Sequence, residues 1–450
     1  MKRLLLLFFI VSITAVSAHA QATKSTWTLE ECLKYATENN IAVKQAELNQ
    51  RVSQNNYFQS KMNPLPTISA NFSYGFDFGY SIDPTKYTYV KQNSQTFIPT
   101  GQANLNLFTG LQQINTIKKD KYDLAGYSAD YLNSINTTAL NVTNLFLQVV
   151  LNKELIKAAE KQLNISQSQL DVTKAKIKAG TLAETAVYDF EAQLARDQAS
   201  LISQKNSLDI SLLALQIALQ LPDQQAFDII VPEINIGSVM TFEQLNAHDI
   251  YQYAVQNQPS VKAAQARVTS ALYNIKIAKG ALSPTFSVSY NTRDDYFNKA
   301  TTLFTNKPVS AKDQFNQNLA NDISFNINIP ILNGWQRMTA IANAKLQYKI
   351  QELNVENANN SLRHDVYQAF ANAKGNAEAY VANLKALESQ KMAYDAAQKR
   401  YDAGLAAAFE LEQSRDNLAR TESNAIQAKY NYIFSVKVLD FYQGKTITLN

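Results

Sequence analysis

Residues that could carry out chemistry are scarce in this chain and far apart. The 450-residue sequence contains three histidines and one cysteine. His248 and His364 lie far apart, and Cys32 has no second cysteine with which to form a disulfide, so a small buried thiol is its expected role. The sequence has no nucleophile elbow, phosphate-binding glycine loop or spaced set of metal ligands. We therefore expect no enzymatic activity, no metal site and no cofactor.

The first twenty residues have the pattern of a secretory leader. Lys2 and Arg3 precede an apolar run from Leu4 to Val16, and Ala18-His19-Ala20 forms a small-residue cleavage site. The apolar run is shorter than a helix needs to be to span a membrane. We expect residues 1–20 to be removed and the mature protein to leave the cytoplasm.

The charge balance argues against nucleic acid as a partner. The whole chain has 42 basic and 38 acidic residues, a formal net charge of +4. Loss of the two basic residues in the leader leaves 40 against 38, or +2. Nucleic-acid binding needs a basic stripe or patch, which a nearly neutral chain does not provide.

Two long stretches without proline dominate the sequence, from Gly110 to Leu221 and from Gly334 to the C-terminus. Apolar residues recur at every seventh position of the first stretch, which is typical of long helices wound around a partner. These positions are Ile135, Val142, Val149, Ile156, Leu163, Leu170 and Ile177, then Val187, Leu194, Leu201, Leu208 and Leu215. Gly180 separates the two series and supplies the left-handed conformation that ends a helix. We expect a helical hairpin whose first arm, Gln112 to Lys178, is roughly 100 Å long at about 1.5 Å per residue.

The hairpin occurs twice because the chain contains an internal duplication. A shift of 224 residues aligns Lys176–Gly180 with Arg400–Gly404. A shift of 218 residues aligns Pro66–Ser69 with Pro284–Ser287. The duplication spans almost the whole mature chain and predicts one elongated unit in place of several globular domains.

Four segments alternate strictly between apolar and polar residues, as strands with one apolar and one polar face do. In the first of them, Ile68, Phe72 and Tyr74 face one way and small polar residues face the other. The predicted strands are residues 66–81, 97–109, 284–296 and 319–333. A soluble sheet packed on a core is the simplest interpretation. The apolar stripes of the flanking helices are expected to pack against each other, however, which leaves no apolar surface to cover the sheet. Strands half in lipid are the better hypothesis.

Strands in lipid must close into a barrel, because an open edge leaves backbone groups unpaired. Four strands are too few, since the smallest bacterial barrels have eight. Two copies would give eight strands with a filled interior, whereas three copies would give twelve strands and room for a channel. The small polar residues on the second face indicate a wet lumen and therefore favour three copies.

With these features in place, the chain resembles the TolC family of outer-membrane efflux proteins over nearly its full mature length. The most specific matches are Arg400-Tyr401-Asp402-Ala403-Gly404, its weaker first copy at 176–180, the strand starts at Pro66 and Pro284, and Leu332-Asn333-Gly334. The resemblance implies a mixed, mainly α fold. Its parts would be a trimeric 12-stranded outer-membrane β-barrel with four strands per protomer, and a 12-helix antiparallel coiled-coil tunnel through the periplasm.

The resemblance also implies a passive exit duct of a tripartite efflux or type I secretion system. Such a duct is a homotrimer in outer-membrane lipid that docks to a periplasmic adaptor (membrane fusion) protein and an inner-membrane pump. The matching adaptor-docking tips are Ala179, Gly180, Thr181, Leu182, Ala403, Gly404 and Leu405. The matching gate positions are Glu410 and Gln413. Acidic residues often stand at both gate positions in the family, so a trimer of this chain would have three carboxylates there in place of six.

The expected organisation is two repeats after the leader. The first repeat, 21–240, contains the first two strands, the hairpin 110–221 and an equatorial segment 221–240. The second repeat, 241–450, contains the other two strands, the hairpin 334–442 and an equatorial C-terminus.

Other classes of protein fit the sequence less well. A structural periplasmic coiled-coil protein without a channel explains the heptads but leaves the alternating strands unexplained. A stand-alone porin is disfavoured, because porins need only short periplasmic turns and most of this chain is predicted to be helical. Small-molecule drugs, metal ions and polypeptides are all compatible with the sequence as exported substrates.

Overall fold

The computed structural model describes residues 26–82, 87–91, 93–222, 226–232, 245–305 and 307–445. The predicted leader at 1–20 lies outside these residues, as do parts of the predicted equatorial segments at 221–240 and at the C-terminus.

The described part of the chain is mainly helical, with a smaller share of strand. Its helices are α1 (Leu29–Asn39), α2 (Ile41–Met62), α3 (Gln112–Lys178), α4 (Ala186–Leu219), α5 (Ala247–Asn257), α6 (Pro259–Gly280), α7 (Ala311–Gln317), α8 (Gln336–Asp402) and α9 (Ala408–Tyr442). Its strands are β1 (Thr26–Trp27), β2 (Thr67–Asp77), β3 (Tyr80–Ile82), β4 (Tyr89–Lys91), β5 (Ser94–Phe108), β6 (Asp228–Ile229), β7 (Thr285–Arg293), β8 (Tyr296–Phe297) and β9 (Ala320–Asn328). The helices α3 and α8 have 67 residues each. None of the described helices has the length and apolar character needed to cross a membrane.

Two compact units are present, and neither coincides with one sequence repeat. The first, which we call the helical unit, comprises the described residues within 1–44, 134–254 and 364–450. The second, which we call the sheet unit, comprises those within 45–133 and 255–363.

The core of the helical unit lies where α3 packs against α1, α4 and α9. Val142 and Val149, two of the predicted heptad positions, are fully buried there, as is Phe146 between them. Cys32 of α1 belongs to the same core and is a free cysteine. Burial, helped by the charge of Glu31, raises the pKa of its thiol to about 12. The expected small buried thiol is thus confirmed.

The sheet unit carries an antiparallel sheet in the order β2-β5-β7-β9, with β8 also paired to β5. Directly paired residues of antiparallel strands lie on the same face, so the pairing register groups the apolar side chains. The apolar face contains Ile68, Phe72, Tyr74, Phe97, Ala103, Leu105, Phe286, Val288, Tyr290, Ile323, Phe325 and Ile327. The opposite face contains Ser69, Asn71, Ser73, Gln102, Asn104, Asn106, Ser287, Ser289, Asn291, Ser324 and Asn326. The predicted separation of apolar and polar faces is therefore present.

Strand ends differ from the predicted limits for local reasons. The last strand ends at Asn328, five residues before 333, because Pro330 has no N–H to donate to a ladder. The first is interrupted after Asp77, where Gly79 has a φ of +108°, and β3 begins at Tyr80. The stretch between β7 and β9, for which the sequence predicts no helix, contains β8 and α7. Ser310 caps α7, its hydroxyl accepting a hydrogen bond from the N–H of Asp313 at 3.2 Å.

Candidate functional site

The turn after α3 is a helix end of defined geometry. The N–H of Thr181 donates to the carbonyl of Lys176 at 3.0 Å, and the N–H of Gly180 donates to that of Ile177 at 2.9 Å. This pair of bonds is the Schellman motif, which satisfies the last carbonyls of a helix. Gly180 has a φ of +74°, in the left-handed region that favours glycine.

The turn after α8 is built in the same way. Leu405 N–H donates to the carbonyl of Arg400 at 2.8 Å, and Gly404 N–H donates to that of Tyr401 at 3.0 Å. Gly404 has a φ of +73°. Among the described residues, and apart from the two chain neighbours, no atom lies within 4 Å of where a Cβ would stand on either tip glycine. Backbone conformation, and not lack of space, therefore demands glycine at both tips.

Six of the seven predicted docking residues are exposed to solvent. Ala179, Gly180, Thr181, Ala403, Gly404 and Leu405 are exposed, and Leu182 is half-buried. Leu405 is the largest apolar side chain among them, with 73% of its surface exposed. In the described structure these six residues are therefore accessible to another protein.

Tyr401 joins the two hairpins just behind the tips. Its ring lies 6.4 Å from the ring of Phe190 in α4, in an edge-on arrangement. The ammonium of Lys176 lies 5.3 Å from the Tyr401 ring centroid, within the range of a cation–π contact. These contacts bring the ends of α3, α4 and α8 together.

Glu410 and Gln413 lie one turn apart on an exposed side of α9, so the structure brings the two predicted gate residues onto one helix face. A carboxylate oxygen of Glu410 lies 3.3 Å from Nη2 of Arg400, and both side chains are at least half exposed. Exposed ion pairs of this kind contribute about 0–1 kcal/mol. Within the single chain, the negative charge of Glu410 is therefore available to solvent and partly balanced by Arg400.

The structure also contains a buried charged cluster that the sequence did not predict. Arg415 of α9, with a side chain only 3% exposed, lies 2.7 Å from the Glu412 carboxylate. Its Nη1 donates to the hydroxyl of Ser166 in α3 at 2.8 Å, and its Nη2 donates to Asp197 in α4 at 3.4 Å. Ser166 donates in turn to Asp197, and the Gln193 amide donates to Asp197 at 3.1 Å. We call these five residues and Asp416 the Arg415 cluster.

The carboxyl group of Glu412 has a strongly raised pKa. Burial raises its pKa to about 7, Arg415 acts in the opposite direction, and Asp416 and Asp197 raise the pKa further. The i, i+3 spacing of Glu412 and Arg415 is a sequence signal for an ion pair. Nothing in that spacing reveals that the pair is buried.

Among the described residues, no group of three or more His, Cys, Asp or Glu side chains is arranged to hold a metal ion.

Comparison with known proteins identifies the family. The family model described as outer membrane efflux protein matches residues 32–219 and 250–445. The outer membrane efflux protein BepC of Brucella suis is 20% identical over 407 residues, which are 90% of this chain and 83% of BepC. The outer membrane protein TolC of Vibrio cholerae is 24% identical over 298 residues, which are 66% of this chain and 65% of TolC.

Solved structures of outer-membrane proteins have the same fold. The structure of CusC superposes with a TM-score of 0.78 at 16% identity, covering 93% of this chain and 92% of CusC. VceC from Vibrio cholerae superposes with a TM-score of 0.76 at 14% identity, covering 93% of this chain and 97% of VceC. The sheet, the duplicated hairpins and the match to the family model all indicate the same family. The chain belongs to the outer membrane efflux protein family, and it is an efflux duct of the outer membrane with a periplasmic portion.

Proposed function

We propose that three copies of this chain close their sheets into one twelve-stranded barrel and pool their helical hairpins into a twelve-helix tunnel. The single observation that carries this proposal is the open four-stranded sheet with an uncovered apolar face. Each copy would contribute the two repeats at 21–240 and 241–450.

The edges of the sheet support closure by other copies. In the described part of the chain, β2 pairs only with β5, and β9 pairs only with β7. The outer backbone groups of β2 and β9 therefore have no ladder partner, and in lipid each unpaired group costs several kcal/mol. The strands β2 and β9 have 11 and 9 residues, the number needed to cross a bilayer at a tilt. Pairing of β9 from one copy with β2 of the next satisfies both edges.

The two faces of the sheet support lipid outside and water inside. Phe72 is 71% exposed and Phe325 is 68% exposed, which is unusual for large apolar side chains in a folded domain. The serine and asparagine side chains of the other face suit an aqueous lumen.

The tips of the hairpins support docking to a periplasmic adaptor. The turns at Gly180 and Gly404 share one backbone geometry and present short exposed segments. A helical hairpin of an adaptor that fits one tip would meet the same backbone at the other. In this proposal the energy for transport comes from an inner-membrane pump joined through the adaptor, and the duct itself is passive.

The gate of the tunnel is proposed at Glu410 and Gln413, because their shared exposed face on α9 is available to line a lumen. In a trimer, three Glu410 carboxylates would form one ring, with Arg400 beside each. The cargo is set by the pump and not by this ring.

The test is the mass and conductance of the full-length protein purified in detergent. Native mass spectrometry should give three chains per particle, and reconstitution into planar bilayers should give discrete single-channel currents. A monomer that stays soluble without detergent would show that the trimeric channel is wrong, and would favour a structural coiled-coil protein.

A further inference from the structure

The Arg415 cluster lies inside the helical unit and connects both helical hairpins. Arg415 and Glu412 belong to α9 of the second hairpin, whereas Ser166 and Asp197 belong to α3 and α4 of the first. Gln193 of α4 adds a 2.9 Å hydrogen bond to Asp416 of α9. Movement of α9 away from α3 and α4 must therefore break this cluster.

The charges around Glu412 do not balance when every group is ionised. From α9 it faces Arg415 and Asp416, and from α4 it faces Asp197 and Arg196. Three carboxylates then stand against two guanidinium groups. From α8 the hydroxyl groups of Tyr394 and Tyr401 also face Glu412, and α3 contributes to the cluster the neutral Ser166.

Hydrogen bonding around Glu412 is incomplete. Taken as whole residues, Glu412 is 6% exposed and Arg415 is 2% exposed. Within the described structure neither carboxylate oxygen of Glu412 accepts a hydrogen bond, and Nε of Arg415 donates none. The 2.7 Å approach of the two side chains is thus an ion pair without hydrogen-bond geometry. An ionised carboxylate in such a place is costly, and a proton on Glu412 removes that cost.

We propose that Glu412 is a proton-sensitive element of the contact between the two hairpins, which tightens when Glu412 binds a proton and loosens when it ionises. The contact lies within one chain, and only its consequence for the duct rests on the proposed function. There, acid would hold α9 against α3 and α4, and higher pH would release the segment that carries the gate.

The direction of the pH effect follows from the raised pKa. A carboxyl whose folded pKa lies above its unfolded value stabilises the packed state fully below the unfolded value, here 4.5, and that stabilisation is lost as pH rises through about 7. A tenfold difference in the proton affinity of Glu412 between the packed and the open state changes the opening equilibrium up to tenfold. We expect local opening of α9 to increase about tenfold to a hundredfold between pH 5.5 and 8.0.

Hydrogen exchange of the full-length protein in detergent, followed by mass spectrometry, measures this opening. Peptides covering residues 408–420 are compared at pH 5.5 and 8.0 after correction for the intrinsic exchange rate. Peptides from the α3 core around Val142–Val150 serve as an internal reference. The wild-type protein should show faster corrected exchange at pH 8.0 in residues 408–420 and no comparable change in the reference.

Glu412→Gln removes the titrating group and should make the corrected exchange independent of pH. Glu388→Gln, at an exposed position of α8 in the same helical unit, is the matched control and should behave as the wild type does. Retention of the wild-type pH dependence by Glu412→Gln would overturn the proposal. If that variant does not fold, a wild-type protein without pH-dependent exchange in residues 408–420 overturns it equally.

The readout does not depend on conductance or on the number of chains per particle. A monomeric protein would therefore refute the trimeric duct and leave the exchange experiment informative. A conducting trimer with pH-independent exchange would refute only the role of Glu412.

Discussion

Arg400 and Glu410 face each other across the second hairpin tip, with Nη2 of the arginine 3.3 Å from the nearer carboxylate oxygen. Arg400 precedes Gly404 by four positions and Glu410 follows it by six, so the turn at Gly404 brings the two side chains together. The pair is exposed, and its contribution to stability is expected to be below about 1 kcal/mol. In the proposed trimeric duct, its importance would lie in the charge that it presents to the lumen.

Replacing Glu410 by lysine should change ion selection and leave folding intact. The substitution places a second positive charge beside Arg400, and in a trimer it converts three negative side chains into three positive ones. Cation selectivity in planar bilayers, measured as a reversal potential under a salt gradient, should fall. Glu47→Lys in α2, at an exposed i, i+4 pair with Arg51, is the control. Unchanged reversal potentials would remove Glu410 from the gate.

Replacing Phe72 by lysine should prevent insertion of the sheet, because its side chain stands on the apolar face. A lysine on the lipid face near the middle of a membrane strand costs about 2–4 kcal/mol. Ser73→Lys, at the next position and on the polar face, is the matched control and should insert. The measurement is the fraction of protein recovered in the outer-membrane fraction as heat-modifiable oligomer. Equal recovery of the two variants would contradict the assignment of faces.

Replacing Gly110 by alanine should be far more damaging than the same change at its duplicate, Gly334. Both glycines have positive φ, +64° and +59°. At Gly110 a Cβ would stand 2.2 Å from the carbonyl oxygen of Gly280, whereas at Gly334 no atom of the described residues beyond the chain neighbours lies within 4 Å. We expect about 1–2 kcal/mol for the strained backbone at Gly334, and loss of correct assembly at Gly110. Thermal unfolding and oligomer yield distinguish the two, and similar values for both variants would contradict the close approach.

Replacing Gly404 by alanine should loosen the tip without unfolding the protein. Its left-handed backbone is unfavourable for alanine by about 1–2 kcal/mol, and the surrounding space is open. Hydrogen exchange in the peptide spanning 400–410 should accelerate while the melting temperature changes little. The control is Gly375→Ala within α8, which should stabilise the helix by about 1 kcal/mol. A tip that exchanges no faster than wild type would argue against the Schellman geometry.

The long helices and the sheet were predictable because each has a simple repeat. Heptad positions such as Val142 and Val149 are fully buried, and strict alternation placed Phe72 and Ser73 on opposite faces of a strand. Helix ends at Gly180 and Gly404 were also visible, since glycine there follows a periodic run.

The Arg415 cluster was not predictable from such patterns. Charged residues in a heptad helix are expected on the surface, yet Arg415 is buried. Its partner Ser166 lies 249 residues away in the sequence, so no local pattern connects them. The helix α7 was missed for a different reason. Its own sequence, Ala311–Gln317, is mostly polar and has no apolar periodicity. The ring of Phe315 packs 6.3 Å from that of Phe97, a contact between residues far apart in the sequence.

The helices α3 and α8 have 67 residues each, so the two repeats hold their tips at the same distance along the helix from its start. Removing seven residues from one helix alone would shorten it by about 10 Å and set its tip a step behind the other. Matched deletions in both repeats would keep the tips level. A change in the distance that the tips span toward the proposed adaptor is therefore expected to need matched changes in both repeats.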